Sequence, residues 1–383
     1  MYSVAAFGEM IADRIRTDAY VRALRQTVRP DADTVVLDLG TGTGILALIS
    51  CQCGARRVYA VDTSGAVQVA REAIRDNGFA DRVVVIQNRS TEIALPERAD
   101  VIVSDLRGVL PPLGSNIGSL IDARDRFLAT GGSLIPQFDR IYAAVVELPT
   151  QHEKMLAPWT AEPLGLNLRS GLRFVQNSWV KLRVPASQLL SPPGMWAELD
   201  YASLQTTRVH GTGELPIHRK GVANGLLLWF ETELSPGIGF SSAPGSPEVV
   251  YGQAFFPWPE TVPVRDNDVV AFDIRADFVR DDYVWTWNSE VQRGSNRRVD
   301  ARFHQSTFLG SPLSEESLAK RSPRRVPGLN NDGAIVRDVL ERMGTGASLG
   351  EIARVLHQDH PARFRSWQDA LDFASDISSR YGG

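Results

Sequence analysis

Asp38-Leu39-Gly40-Thr41-Gly42-Thr43-Gly44 decides the fold. Residues 34–39 (TVVLDL) ahead of it form a short β-branched run, and an apolar helix opens behind it at Ile45. Glycines between a strand and a helix let the backbone approach a ligand closely and leave the first helical N–H groups aimed at it. Asp62 closes the next strand, 57–61 (RVYAV), about 20 residues on, where a carboxylate can accept both ribose hydroxyls of a nucleoside. The third glycine of G-x-G-x-x-G is missing, and Ala47 replaces it only in a shifted frame. The pattern therefore favours S-adenosylmethionine over a nicotinamide cofactor.

Around this stretch, apolar strands alternate with amphipathic helices, the grammar of a Rossmann-like, doubly wound parallel sheet. The spacing predicts strands at 82–86 and 100–104, and helices at 9–25, 66–77 and 118–128, the last stopped by Gly131-Gly132 before a strand from Ser133. From about residue 140 the pattern changes. Runs such as 225–233 (GLLLWFETE) and 269–278 (VVAFDIRADF) between Pro- and Gly-rich turns predict an antiparallel β domain, sandwich or barrel. The expected organisation is a cofactor-type domain over 1–140, a β domain over 141–310, a polar Pro-rich linker over 311–328 and a helical module over 329–383. Within the last, helices are expected at 333–343, 348–357 and 367–380.

The chain of 383 residues is 43% hydrophobic and 22% charged, and 41 basic against 45 acidic side chains leave a formal charge of −4. A nucleic-acid binder would need a basic excess for phosphate contacts, so nucleic acid is not an expected partner. Cys51 and Cys53 are the only cysteines, too few for a disulfide framework or a four-thiolate metal site, which predicts a reduced, cytoplasmic setting. The histidines (152, 210, 218, 304, 357 and 360) have no metal-ligand spacing, so no metal is expected. Glu9 and Asp13 near the start argue against a signal peptide, and no run of 18 apolar residues argues for a membrane span.

Tyr2, then 7–20 (FGEMIADRIRTDAY), together with 36–46 (VLDLGTGTGIL), 54–58 (GARRV), 123–129 (ARDRFLA) and 240–247 (FSSAPGSP), resembles the protein arginine methyltransferases in order and spacing over about residues 1–300. The resemblance implies a β-barrel after the nucleotide-binding domain, an active site between the two and a homodimer. It also implies S-adenosyl-L-methionine as cofactor and S-adenosyl-L-homocysteine as product. Cofactor contacts implied are Met10 near the sulfonium, Arg16 at the carboxylate, the loop Asp38, Gly40, Thr41, Gly42 and Gly44, the ribose acid Asp62 with Thr63, the adenine pair Thr91-Glu92, and Ser104.

The acceptor half departs from that family. Its loop S-E-x-M-G-Y-x-L-x-x-E grips a guanidinium with two glutamates, whereas 104–114 reads SDLRGVLPPLG. The first acid survives as Asp105, the second position is Gly114, and Arg107 stands at the methionine. Residues 249–251 (VVY) replace Thr-His-Trp, placing Tyr251 at the cleft without an imidazole. Asp105, Arg107 and Tyr251 are the candidate catalytic residues. Asp105 could orient or deprotonate an amine or hydroxyl, Arg107 could hold an anionic acceptor, or Arg107 could pair with Asp105. The expected acceptor is a nitrogen of a peptide or protein, with a small molecule or carboxylate, or a non-catalytic scaffold, as alternatives. Residues 329–356 also resemble the small winged-helix peptide chaperone of pyrroloquinoline-quinone biosynthesis, which implies capture of a precursor peptide's leader by strand addition.

Overall fold

In the computed structural model, which describes residues 4–382, the quoted loop follows β1 (Val35–Leu39), a strand buried at every position. It leads into α3 (Ile45–Gln52), after α1 (Val4–Ala12) and α2 (Arg14–Thr27). Then come β2 (Arg57–Asp62), α4 (Val67–Asp76), β3 (Val83–Gln87), β4 (Ala99–Ser104), α5 (Asn116–Phe127) and β5 (Leu128–Ile135). The five strands pair in parallel in the order β3-β2-β1-β4-β5. Helices cover both faces of such a sheet, which is why its strands read as continuous apolar runs rather than alternating ones. The chain reverses its winding between β1 and β4, and the crevice beyond their carboxyl ends is where an open α/β sheet takes ligands.

Two local expectations change. The single helix over 9–25 is two helices broken at Asp13, whose extended backbone (φ −68°, ψ 93°) cannot continue α1. Its Oδ1 accepts from the Arg16 N–H at 3.0 Å as the cap of α2, and its Oδ2 accepts from the Val250 N–H at 2.7 Å. The capping preference of Asp overrides the apolar period. At the other end of the sheet, Gly131 and Gly132 do not stop a helix before a strand: α5 passes directly into β5 at Leu128, and the glycines lie inside that strand. Gly131 has φ +77°, and the β4–β5 register shifts between Ala99 and Val101, a bulge that a side chain at that φ would strain.

The β domain begins with β6 (Phe138–Val146), followed by α6 (Pro149–Thr160) and α7 (Leu172–Gln176). Strands β7 (Val180–Leu182), β8 (Gly194–Asp200), β9 (Val209–Pro216), β10 (Gly221–Ser235), β11 (Ile238–Ser241), β12 (Gln253–Val264), β13 (Val269–Val279), β14 (Asp282–Arg293) and β15 (Arg298–Ser306) complete it. One antiparallel sheet runs β7-β12-β10-β6-β8 with β11 on β10, and a second runs β15-β14-β13-β9. The two sheets share a core without hydrogen-bonding into a closed barrel. That core is continuous with the parallel domain, running from Leu37 and Ile102 to Phe256 and Trp287. A second apolar layer, Ala144, Val146, Leu227, Trp229 and Phe255, covers the outer face of β6 and β10.

The chain forms two compact units, Met1–Ser311 and Pro312–Gly383. The second contains α8 (Glu315–Lys320), α9 (Asn331–Gly344), α10 (Leu349–Asp359) and α11 (Trp367–Tyr381), packed around Val339, Ile352, Leu356 and Phe364. Ser348 and Ser366 open α10 and α11 with capping boxes. Among its described residues this unit is helical and has no strand. No helix among the described residues is long and apolar enough to cross a membrane.

Candidate active site

Each tip of the central strands contributes a functional group. After β1, Gly40, Gly42 and Gly44 take φ of +80°, +53° and +87°, values that L side chains rarely adopt. A Cβ on Gly42 would stand 2.4 Å from the Phe7 ring, so the loop lies flat beneath α1. At the end of β2, Asp62 Oδ2 accepts from the Gly42 N–H at 2.8 Å and Oδ1 from the Ser64 N–H at 2.7 Å. Backbone donors thereby fix the carboxylate against the loop and leave it further lone pairs.

Two adjoining cavities follow this row of tips. The first, about 400 Å³, has Met10, Arg16, Thr41, Asp105 and Arg107 in its wall; the second, about 630 Å³, has Asn88, Ser90 and Thr91. Both share Gly40, Asp62, Thr63, Leu106 and Asn116. One side suits an amino-acid moiety and the other a nucleoside, with Asp62 at the junction where a ribose would lie. Five buried polar atoms among the described residues lack a hydrogen-bond partner, and one of them, Ser64 Oγ, belongs to a residue of the first cavity's wall. A buried polar group is rarely left so, and one in a cavity wall marks a place where a polar ligand can bond. The residues present fit S-adenosylmethionine. Glu92 sits beside Thr91 on a short 3₁₀ turn but is exposed and outside the cavity wall, and Asp38 and Ser104 lie behind the wall rather than in it. Among the described residues no cluster of His, Cys, Asp and Glu could hold a metal.

Burial pushes the Asp38 carboxyl up to about 7, against the hydrogen bonds from Thr41 and the Ala47 N–H. An unfolded Asp titrates at about 4, so between these values the folded protein binds more protons than the unfolded chain. Asp38 therefore costs stability increasingly as pH rises from about 4 to 7. The thermal midpoint of the cofactor-free protein should fall less steeply across this range in Asp38→Asn than in the wild type. Equal slopes would remove Asp38 as the source.

On the acceptor side, α2, β4, β6, β10 and the 249–251 loop converge on one buried network. Asp105 accepts from Arg16 Nε at 2.5 Å and from the Tyr251 hydroxyl at 2.6 Å on Oδ2, and from Arg107 Nε and Nη2 at 3.3 Å each on Oδ1. Arg16 also donates to the Met10 carbonyl at 3.1 Å. Arg107 Nη1 donates to Asp139 Oδ1 at 2.8 Å and Thr232 Oγ1 at 2.6 Å, and Nη2 donates to the Tyr20 hydroxyl as well. The Tyr20 hydroxyl in turn donates to the Ser104 carbonyl at 2.9 Å, and Tyr201 donates to Asp139 Oδ2 at 2.7 Å. Phe230 and Phe240 face the Arg107 guanidinium at 5.4 and 5.5 Å, and Phe240 stacks on Tyr251.

The structure thus brings Arg16, Asp105, Arg107 and Tyr251 together. Arg107 pairs inward, and no N–H of its guanidinium remains to hold an anionic acceptor. Burial alone would raise the Asp105 carboxyl, but Arg16, Arg107 and Tyr251 hold it below the usual carboxylate range. Asp139, Tyr20, Tyr201 and Thr232 are absent from the sequence-derived set. For Asp139 a signal existed: it occupies the inward parity of β6 with Ile141, Ala143 and Val145, an acid on an otherwise apolar face.

Two family models match the chain. Residues 13–155 match the ribosomal protein L11 methyltransferase family, and 138–291 match the arginine methyltransferase oligomerization subdomain. A probable protein arginine N-methyltransferase 6 of Arabidopsis thaliana is 30% identical over 236 residues, covering 59% of this chain and 54% of that protein. Protein arginine N-methyltransferase 1 of Saccharomyces cerevisiae is 24% identical over 81% of this chain and 88% of its own length. The matched stretch therefore spans about half of the first relative and most of the second. Among solved structures, Arabidopsis thaliana protein arginine methyltransferase 10 superposes with a TM-score of 0.71 at 22% identity, over 80% of this chain and 98% of that one. A Trypanosoma brucei PRMT1 enzyme–prozyme complex with AdoHcy also gives 0.71, at 22% identity over 78% and 96%. Sheet order, glycine loop and matches in both halves of the first unit agree: this chain has the two-domain build of the solved protein arginine methyltransferases and is similar to that family in sequence.

Proposed function

We propose that the protein transfers a methyl group from S-adenosylmethionine to a nitrogen of a peptide or protein, through an acceptor site that differs from an arginine-gripping one. The observation that carries this reading is the two-part cavity meeting at Asp62 and ending at Asp105. When bound, the cofactor supplies an electrophilic methyl on a sulfonium. Asp62 takes the ribose hydroxyls, Thr91 borders the adenine side, and Arg16 and Met10 border the amino-acid side. Asp105 serves as an anchor that orients Arg16 and Tyr251. A carboxylate already held by two cations is a weak base near neutral pH, so the acceptor nitrogen arrives with its lone pair available.

Isothermal calorimetry tests the cofactor half. The wild type should bind S-adenosylmethionine and S-adenosylhomocysteine at micromolar levels, and Asp62→Ala should weaken both at least tenfold, the equivalent of about 1.4 kcal/mol for one lost charge-assisted contact. Absence of binding in the wild type would reject the reading. Methyl-labelled cofactor with candidate peptides tests the acceptor half. A second reading, a non-catalytic cofactor-binding scaffold, draws on the saturation of Asp105 and Arg107; tight cofactor binding without transfer to any acceptor would favour it.

A homodimer in a cytoplasmic setting is part of the proposal, the dimer supported by the match of 138–291 to an oligomerization subdomain and the setting by the two unpaired cysteines. So is delivery of a precursor peptide by the second unit, supported by its sequence resemblance. Without a strand among its described residues, that unit would take a leader on its helices. Deleting 312–383 should then raise KM for a full precursor several-fold and leave a short leaderless peptide unaffected.

A further inference from the structure

We infer that Arg107 is a specificity-determining plug: it fills a guanidinium receptor beside the cofactor cavity, so the protein refuses guanidinium acceptors from outside. The inference extends the methyltransferase reading, although the receptor itself is visible without it. A guanidinium has five N–H groups. Here Nε meets Asp105, Nη1 meets Asp139 and Thr232, and Nη2 meets Tyr20 and Asp105. Two carboxylates balance the charge, in company with Arg16, and Phe230 and Phe240 offer their faces. The side chain is 4% exposed and its partner Asp139 fully buried.

These are the elements by which a protein recognises an arginine side chain: two acids, hydroxyl acceptors and aromatic faces. The occupant comes from the chain itself. Arg107 also forms part of the wall of the 400 Å³ cavity, so a vacated seat would open onto the space where the methyl is delivered. A second cation could not share the seat, because both acids are committed and like charges at such range repel strongly. The side chain is a fixed occupant rather than a gate, since its partners lie on the loop after β4, on β6, on β10 and on α2, and each of its N–H groups meets one of them.

The test uses the full chain and methylguanidinium as probe. Arg107→Ala should gain saturable thermal stabilisation from millimolar methylguanidinium chloride, against matched sodium chloride, with an affinity at least tenfold above that of the wild type. Arg107→Ala/Asp139→Asn should lose that gain. No saturable gain in Arg107→Ala, or equal binding by the wild type, overturns the plug. If Arg107→Ala is insoluble, its refolding yield with and without methylguanidinium decides the question instead: recovery that requires the cation supports the receptor, and failure in both conditions overturns it. Wild-type protein given methyl-labelled cofactor and an arginine-containing peptide should leave every arginine unlabelled, and label on an arginine side chain overturns the plug independently. Guanidinium rescue in a protein that binds no cofactor would keep the receptor and discard the methyltransferase reading.

Discussion

Asp139→Ala is expected to destabilise the first unit by about 3–5 kcal/mol, the cost of leaving a buried charge without its partner. Asp139 is fully buried, and its two oxygens serve Arg107 and Tyr201. Removing it leaves a guanidinium and a phenol in the interior with a lost partner each, and the Arg107 cation cannot neutralise itself because arginine stays protonated. Chemical denaturation, followed by a probe in the β domain, should show an earlier midpoint with little change of slope. Arg107→Met combined with Asp139→Asn should cost much less than either charge removal alone, since a neutral pair of similar volume avoids the unpaired charge. Additive losses in that cycle would mean that the two side chains do not act together.

The parallel domain was legible because its signals are local. A buried strand announces itself in four to six consecutive apolar residues, and the glycine loop is contiguous with the strand and helix it joins. Asp62 was legible for the same reason, lying at a strand end fixed by that loop. The acceptor side was only half legible. The sequence shows Asp105 and Arg107 side by side in the 104–114 segment, but not what Arg107 meets, because Asp139 comes from β6 and Thr232 from β10. Their cross-strand pairing sets Thr232 opposite Asp139 on one inward face, and that register depends on the whole antiparallel sheet. Read from the loop alone, the cleft has lost an acid and gained a cation. In the folded chain Asp139 restores the balance, and Arg16, Arg107, Asp105 and Asp139 sum to zero. Asp13 teaches a related lesson. The apolar period runs across it, yet a single side chain with two oxygens can break a helix by capping the next one and by holding the Val250 N–H, a partner far along the chain.

Asp105→Ala should cost about as much as Asp139→Ala, roughly 3–5 kcal/mol, and should also read out differently with pH and cofactor. Among the described residues Asp105 is the only carboxylate that touches both arginines of the network, so its loss leaves Arg16 and Arg107 with Asp139 as their remaining buried counter-charge. Because the folded carboxyl titrates below the usual range, its contribution is fully present above the unfolded value of about 4 and is lost as pH falls through the folded one. The difference in stability between wild type and Asp105→Asn should therefore be constant from about pH 5 to 8 and shrink in stronger acid. Asp139→Ala lacks the second effect: Asp139 makes no contact with Arg16, whereas Asp105 fixes the Arg16 guanidinium in the cavity wall. Cofactor affinity should consequently fall in Asp105→Ala and hold within a few-fold in Asp139→Ala, each measured below its unfolding midpoint. Equal losses of affinity in the two variants would show that the cavity depends on the network as a whole, with no separate part for Asp105.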